Sequence, residues 1–251
     1  MKKLLKAVVF GALAAGVFAG PAKADQFSDF KNNIKNQTKA DAQGLLKPFA
    51  EDVGGLLGGT DFNSGRNLGF PGFDVGLAAT VQSKPNANNT LIQGAGMIGV
   101  PLLQASVGLP IINADIAVRG VSYSAFSIVG AGVRYGLLKS GTLTKFIPDV
   151  SVSAFYDAIK YTYFTGTHMS VDAVASFDIP VIKPFVGVGL DRTSAKIANI
   201  STALNGTSAN ISKPRYTVGV RFSPLPLVYV YGAYSSLHGV TGYNAGAGVK
   251  F

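Results

Sequence analysis

From Gly72 to the end of the chain, apolar and polar residues alternate with a period of two, in short segments bounded by Gly, Pro, Asn and Ser. Phe73, Val75, Leu77, Ala79 and Val81 alternate with Asp74, Gly76, Ala78 and Thr80. Leu103, Ala105, Val107 and Leu109 alternate with Gln104, Ser106 and Gly108. Ala114, Ile116 and Val118 oppose Asp115 and Arg119, while Val129, Ala131, Val133 and Tyr135 oppose Gly130, Gly132 and Arg134. The pattern continues with Val150, Val152, Ala154 and Tyr156 against Asp149, Ser151, Ser153 and Asp157. Met169, Val171, Ala173, Ala175 and Phe177 then oppose Ser170, Asp172, Ser176 and Asp178. Val186, Val188 and Leu190 oppose Gly187, Gly189 and Asp191; Tyr216, Val218, Val220 and Phe222 oppose Arg215, Thr217, Gly219 and Arg221. A Tyr-rich segment from Leu227 to Leu237 shows no clear face, and the last sets Tyr243, Ala245, Ala247, Val249 and Phe251 against Asn244, Gly246, Gly248 and Lys250. The pattern predicts about ten strands, with eight or twelve as alternatives.

Alternation alone fits a soluble sandwich, a ligand-binding barrel or a transmembrane barrel. The distribution of charge separates them. The polar faces carry Asp74, Asp115, Asp149, Asp157, Asp172, Asp178 and Asp191 with Arg119, Arg134, Arg215, Arg221 and Lys250, while the apolar faces carry essentially none. A water-facing strand would be rich in Lys and Glu, yet the only Glu is Glu51, before the first strand. The reading is an all-β transmembrane antiparallel barrel, with an apolar face to lipid and these twelve charges lining the lumen. Tyr123, Tyr135, Tyr161, Tyr163 and Tyr243 are candidate interface anchors. In hydrocarbon every backbone group must pair internally, so such strands have to close.

Connections give a second line of reasoning. With an even strand number, both chain termini of the barrel lie in the periplasm. Short proline-bearing links at Pro110, Pro180 and Pro224-Leu225-Pro226 suit periplasmic turns, and the long polar links Ser83 to Pro101 and Ala198 to Lys213 suit external loops. Lys139 to Pro148 is long for a periplasmic turn. Asn199, Asn205 and Asn210 match a glycosylation pattern but read as solvated loop residues.

The N-terminal 71 residues are of another kind. Residues 1–24 run from Lys2-Lys3 through an apolar stretch to Ala22-Lys23-Ala24, the order of a secretory signal peptide. The apolar run is shorter than the roughly 20 residues of a spanning helix. Without its four lysines the net charge falls from +9 to +5, and the remaining Lys and Arg are scattered, which argues against nucleic acid as a partner. The chain has no Cys, so disulfides are excluded. In residues 25–71, Phe27, Phe30, Ile34, Leu45, Leu46, Phe49, Val53, Leu56 and Leu57 recur at helical spacing before Gly58-Gly59. This amphipathic segment reads as a helix docked at the periplasmic mouth or as a loose tether, a plug or a surface-lying helix being further forms. The barrel itself is assigned to residues 72–251.

The terminal strand, with Tyr243, Ala245, Ala247, Val249 and a final Phe251, resembles the targeting strand of bacterial outer-membrane β-barrel proteins. That resemblance implies export to the outer membrane, with lipids, the insertion machinery and periplasmic chaperones as partners. Leu45-Leu46-Lys47-Pro48-Phe49, Phe62-Asn63-Ser64-Gly65 and Gly72-Phe73-Asp74-Val75-Gly76-Leu77 are similar to an uncharacterised outer-membrane family, a likeness that implies no activity.

Candidate chemistry is sparse. His168, Ser170 and Asp172 share one strand face and resemble the His-x-Ser arrangement of outer-membrane lipid hydrolases. Those enzymes present the pair to lipid, whereas the alternation here turns it inward, and a deacylase also needs a Glu that the barrel lacks. His238 is expected at the same rim but three strands away, so with two His and no Cys neither a metal site nor a cofactor is expected. Gly94-Ala95-Gly96 does not follow the strand–Gly–helix order of a phosphate loop. The expected function is a non-enzymatic barrel for structure, anchoring or narrow solute passage. A lipid hydrolase and a hydrophobic-compound transporter with an N-terminal plug are the alternatives.

Overall fold

The computed structural model describes Phe27 and residues 29–123, 125–141 and 147–251; the signal-peptide reading of residues 1–24 falls outside the described residues. Among the described residues two α-helices, α1 (Phe30–Ile34) and α2 (Lys39–Gly58), precede ten strands. In chain order these are β1 (Phe73–Gln82), β2 (Ile98–Gly108), β3 (Ala114–Tyr123), β4 (Phe126–Leu138), β5 (Asp149–Lys160), β6 (Phe164–Ser176), β7 (Ile182–Ile197), β8 (Ser208–Phe222), β9 (Val228–Leu237) and β10 (Val240–Lys250). Each pairs antiparallel with its sequence neighbours, and β1 closes on β10 with Val75 opposite Val249 and Ala79 opposite Ala245. Closure leaves no sheet edge unpaired.

The barrel has two ends of different character. At one lie the start of β1, the end of β10 and residues 109–113, 139–141, 147–148, 177–181 and 223–227; we call it the termini end. The other, the loop end, carries residues 83–97, 125, 161–163 and 198–207 and the two-residue turn His238-Gly239. In that turn both residues have positive φ, 53° and 92°, the geometry whose twist matches a tight hairpin.

The face pattern changes sign along the longest strands. On β7, residues 182–190 put Val186, Val188 and Leu190 outward and Gly187 and Gly189 inward; residues 214–222 of β8 do the same with Tyr216, Val218, Val220 and Phe222 outward. This apolar belt is close to the roughly 9–11 residues a tilted strand needs to cross a bilayer. Beyond it, towards the loop end, Arg192, Lys196, Asn210 and Ser212 face out, while Ala195, Ile197, Ala209 and Ile211 face in. On β5, Lys160 is exposed beside the buried Ile159. The loop end is therefore a collar built for water outside and for an apolar core inside. It explains why β8 begins at Ser208, so that the expected external loop from Ala198 to Lys213 is shorter than its polar composition suggested. Similarly Pro101 falls within β2, opposite Ala79.

The collar is filled by the N-terminal helices. Thr38 caps α2, its Oγ1 accepting from Asp41 N at 3.2 Å. Phe30, Ile34, Leu46, Phe49, Leu56 and Leu57 are buried against Leu91, Ile92, Ile128, Phe164 and Ile197. Phe49 and Phe164 meet edge to face with centroids 4.8 Å apart. Removing a side chain of this size from water contributes about 2 kcal/mol. Tyr161 belongs to this core, 5.5 Å from Phe27, a correction to its expected place at the lipid interface; Tyr123, Tyr135 and Tyr243 are exposed on the wall. A second correction concerns α1 and α2, expected at the mouth where the barrel's own termini lie. They occupy the opposite mouth, because only the collar offers an apolar interior for their faces.

Candidate functional site

Between α2 and β1, residues 59–71 run through the lumen from the loop end to the termini end. The descent begins where α2 meets the wall without side chains in the way: a Cβ on Gly54 would lie 2.1 Å from Thr193 Oγ1, and one on Gly58 2.6 Å from Arg215 Nε and Asp191 Oδ2. Glycine costs helix stability, and here it permits an approach no other residue allows.

Asp61 comes next, with no exposed surface. Its Oδ1 accepts from Arg119 Nη1 at 2.6 Å and its Oδ2 from Arg215 Nη2 at 2.8 Å. Arg119 also pairs with Asp157 through two bonds of 2.8 and 2.6 Å. Arg215 reaches Asp172 at 2.6 Å and Asp191 at 3.1 Å. Arg119 stands on β3 and Arg215 on β8, so one carboxylate from the threaded segment joins arginines on two separated strands. Buried charges are costly unless paired and hydrogen-bonded, and each guanidinium here has at least two carboxylate partners.

Lower in the lumen, Phe62 packs edge-on to Phe185, with centroids 6.3 Å apart. Asn63 Oδ1 accepts from Arg221 Nη1 at 3.0 Å, while Tyr229 donates to Asp74 at 2.8 Å. The Arg221 guanidinium lies 3.5 Å over the Tyr229 ring. Arg134 and Asp74 line a cavity of about 20 Å³ beside Asp61, room for about one water. At the termini end, Leu68 N donates to both carboxylate oxygens of Asp115 at 3.0 and 2.9 Å, and Gly65 N to Ser176 Oγ at 2.9 Å. Asp149 accepts from Ser140 N at 2.7 Å. Lys250 is half-buried at this mouth.

Asp178, one of the twelve charges expected in the lumen, is not on a strand. It lies beyond the end of β6 at Ser176, in the turn to β7, where Arg66 and Lys183 both pair with it. Its alternation with Phe177 continues past the strand because the turn begins two residues earlier than the pattern shows. Partial burial works against ionisation of its carboxyl, but the hydrogen bond and charge of Lys183, with Arg66, hold it below its ordinary value.

His168, Ser170 and Asp172 all face inward and are buried. His168 Nδ1 lies 3.0 Å from Thr193 Oγ1, and Asp172 is engaged by Arg215 and by Ser153 Oγ at 3.3 Å. Ser170 Oγ has no hydrogen-bond partner among the described residues. No lipid reaches this face. His238, expected too far round the wall to act with His168, shares Asp191 with it: His238 Nε2 donates to Asp191 Oδ2 at 2.8 Å, and an Asp191 oxygen lies within 4.8 Å of a His168 ring nitrogen. The narrow bore and the intervening strand β7 overcome the separation in sequence.

Sequence reasoning missed Asp61 and Arg66. Both stand in a stretch without periodicity, and the available signal was a carboxylate two residues after the Gly58-Gly59 pair in an otherwise apolar segment.

No protein-family model matches the chain, and no curated protein matches its sequence; the uncharacterised-family resemblance thus has no family model beside it. Similar solved structures are bacterial outer-membrane barrels. Ail, the attachment invasion locus protein of Yersinia pestis, is 13% identical over 72% of this chain and 100% of its own, with a TM-score of 0.33. The N-terminal barrel domain of Pseudomonas aeruginosa OprF is 14% identical over 72% and 97%, at 0.34. An outer-membrane channel from Pseudomonas putida F1 is 10% identical over 76% and 100%, at 0.47. These are likenesses of fold. Closed strands, an apolar belt facing lipid and a charged lumen make this an outer-membrane barrel.

Proposed function

We propose that the protein is a structural, anchoring barrel, closed to solute passage, whose N-terminal helices are held at the outward-facing mouth. The carrying observation is the threaded segment 59–71, tied by Asp61 to Arg119 and Arg215. With the termini end towards the periplasm, as its short proline-bearing turns suggest, the loop end and α1–α2 face the exterior. The insertion machinery and periplasmic chaperones are then the assembly partners, with β10 as the strand they read. A hydrolase is disfavoured by the burial of His168 and Ser170, and a route for hydrophobic compounds by the ionic lining around the plug.

Planar-bilayer recording on the refolded chain tests this reading. The full chain is expected to show no large steady conductance, and a variant lacking residues 27–71 is expected to conduct. A wild-type conductance like that of a general porin would overturn it.

A further inference from the structure

We propose that Asp61, His168 and Asp191 form a binding site for a divalent transition-metal cation, Zn²⁺ by its ligand chemistry, which fastens the threaded segment to β6 and β7. The site extends the plugged-barrel reading, since Asp61 belongs to the threaded segment, and it stands on separate observations. One ligand atom from each of the three residues lies within 4.8 Å of the other two, and all three residues are buried. Atoms sharing one zinc at about 2.1 Å stand about 3.4 Å apart in tetrahedral geometry, so small side-chain rotations bring them into ligation.

His168 gives the independent sign. It has no exposed surface, and its Nε2 has no hydrogen-bond partner among the described residues. Its other nitrogen, Nδ1, is 3.0 Å from Thr193 Oγ1. When Nδ1–H donates to that hydroxyl, Nε2 keeps a buried, unpartnered lone pair on a ring that lies in one cluster with Asp61 and Asp191, whose oxygens are themselves acceptors. Acceptors facing one another need a cation between them. A hydrogen bond from the remote ring nitrogen is also how metal-bound imidazoles are oriented.

Charge points the same way. Four buried carboxylates, Asp61, Asp157, Asp172 and Asp191, surround two guanidiniums, Arg119 and Arg215. His238 Nδ1 lies 2.8 Å from the Glu51 carbonyl oxygen and its Nε2 2.8 Å from Asp191 Oδ2. One imidazole and two carboxylates suit zinc better than calcium or magnesium, which prefer all-oxygen sites.

The test uses the untagged full chain refolded in detergent with and without Zn²⁺, dialysed, and assayed for metal and for thermal unfolding. About one zinc per chain is expected, with unfolding shifted to higher temperature by the metal, and His168→Ala is expected to lose at least tenfold in zinc affinity together with the shift. Zinc absorption-edge spectroscopy on the wild type covers the case in which that variant does not fold, and should show imidazole in the coordination shell. No retained zinc, retention unchanged in His168→Ala, or a shell without imidazole would overturn the site. Conductance recorded on the same samples separates the two readings: a closed wild-type barrel without zinc rejects only the metal site, and an open one rejects the plug.

Discussion

Asp61 and Arg215 stand 154 residues apart in the chain and meet at 2.8 Å in the lumen, neither side chain more than 1% exposed. The contact makes the N-terminal segment part of the barrel's electrostatics. Arg215 is held by β-strand carboxylates on one side and by the plug on the other, so loss of the plug exposes a charged network to water and loss of the network releases the plug.

Asp61→Asn is therefore expected to destabilise the refolded barrel by about 1.5–3 kcal/mol, the range for hydrogen bonds to charged groups. Asp157 still pairs with Arg119, and Asp172 and Asp191 with Arg215, which keeps the loss below that of a stranded buried charge. Denaturant unfolding in detergent micelles, with chelator present so that metal plays no part, measures it. Stability equal to wild type would mean that Asp61 does not hold the plug.

Two glycines of α2 predict opposite signs. Gly44 is exposed, and a Cβ added there would have nothing within 4 Å, whereas one at Gly58 meets Arg215 Nε and Asp191 Oδ2 at 2.6 Å. Gly44→Ala should stabilise by up to about 1 kcal/mol through helix propensity, and Gly58→Ala should destabilise by about 1–3 kcal/mol through overpacking. Thermal unfolding of both variants side by side checks the pair; equal effects would argue against the close approach of α2 to the wall.

The barrel was legible because every wall strand obeys one local rule. Val186-Gly187-Val188-Gly189-Leu190 declares its two faces without knowledge of its partners. β9 resisted because Tyr suits either face; the structure buries Tyr229 and Tyr231 and exposes Tyr234. The collar was hidden for a related reason: Asn210-Ile211-Ser212 alternates correctly but with the opposite meaning, since water replaces lipid outside. Asp61 was illegible because the threaded segment has no regular structure, and its neighbours are set by the bore of the barrel rather than by spacing in the chain.

Asp178, outside the spanning strands, predicts a pH signature. Its carboxyl is held below its ordinary value of 3.8, so its stabilising contribution is present above that value and disappears as pH falls through the lower folded-state value. The pair is partly exposed and screened, so Asp178→Asn should cost under about 1 kcal/mol at neutral pH. Unfolding curves at pH 7 and at successively lower pH should show the gap between variant and wild type shrinking below pH 4; a constant gap would reject the ion-pair origin.

Phe251 stacks on Phe73 with centroids 4.5 Å apart, and the two exchange backbone hydrogen bonds of 3.1 and 2.8 Å at the seam of the barrel. Deleting Phe251 removes that final rung and the last aromatic of the β10 pattern, so lower outer-membrane levels are expected. Fractionation of cells carrying the truncation, with heat-modifiable migration as the folding readout, tests this. Normal levels of a folded band would count against both the seam and the targeting role.

Ser170 separates lining from nucleophile. Its hydroxyl is buried and has no hydrogen-bond partner among the described residues, and a buried polar group in that state costs about 1–3 kcal/mol. Ser170→Ala should then leave stability unchanged or raise it by up to about 1 kcal/mol, the new methyl filling most of the space. A nucleophile would respond differently, because its removal abolishes acyl release whatever happens to the fold. With the lipid face of β6 occupied by Met169 and Val171, phospholipid and lipid A profiles of cells expressing wild type or Ser170→Ala are expected to be identical. An acyl-chain difference between the two strains would show that Ser170 reaches lipid and that the lumen-facing assignment of β6 is wrong.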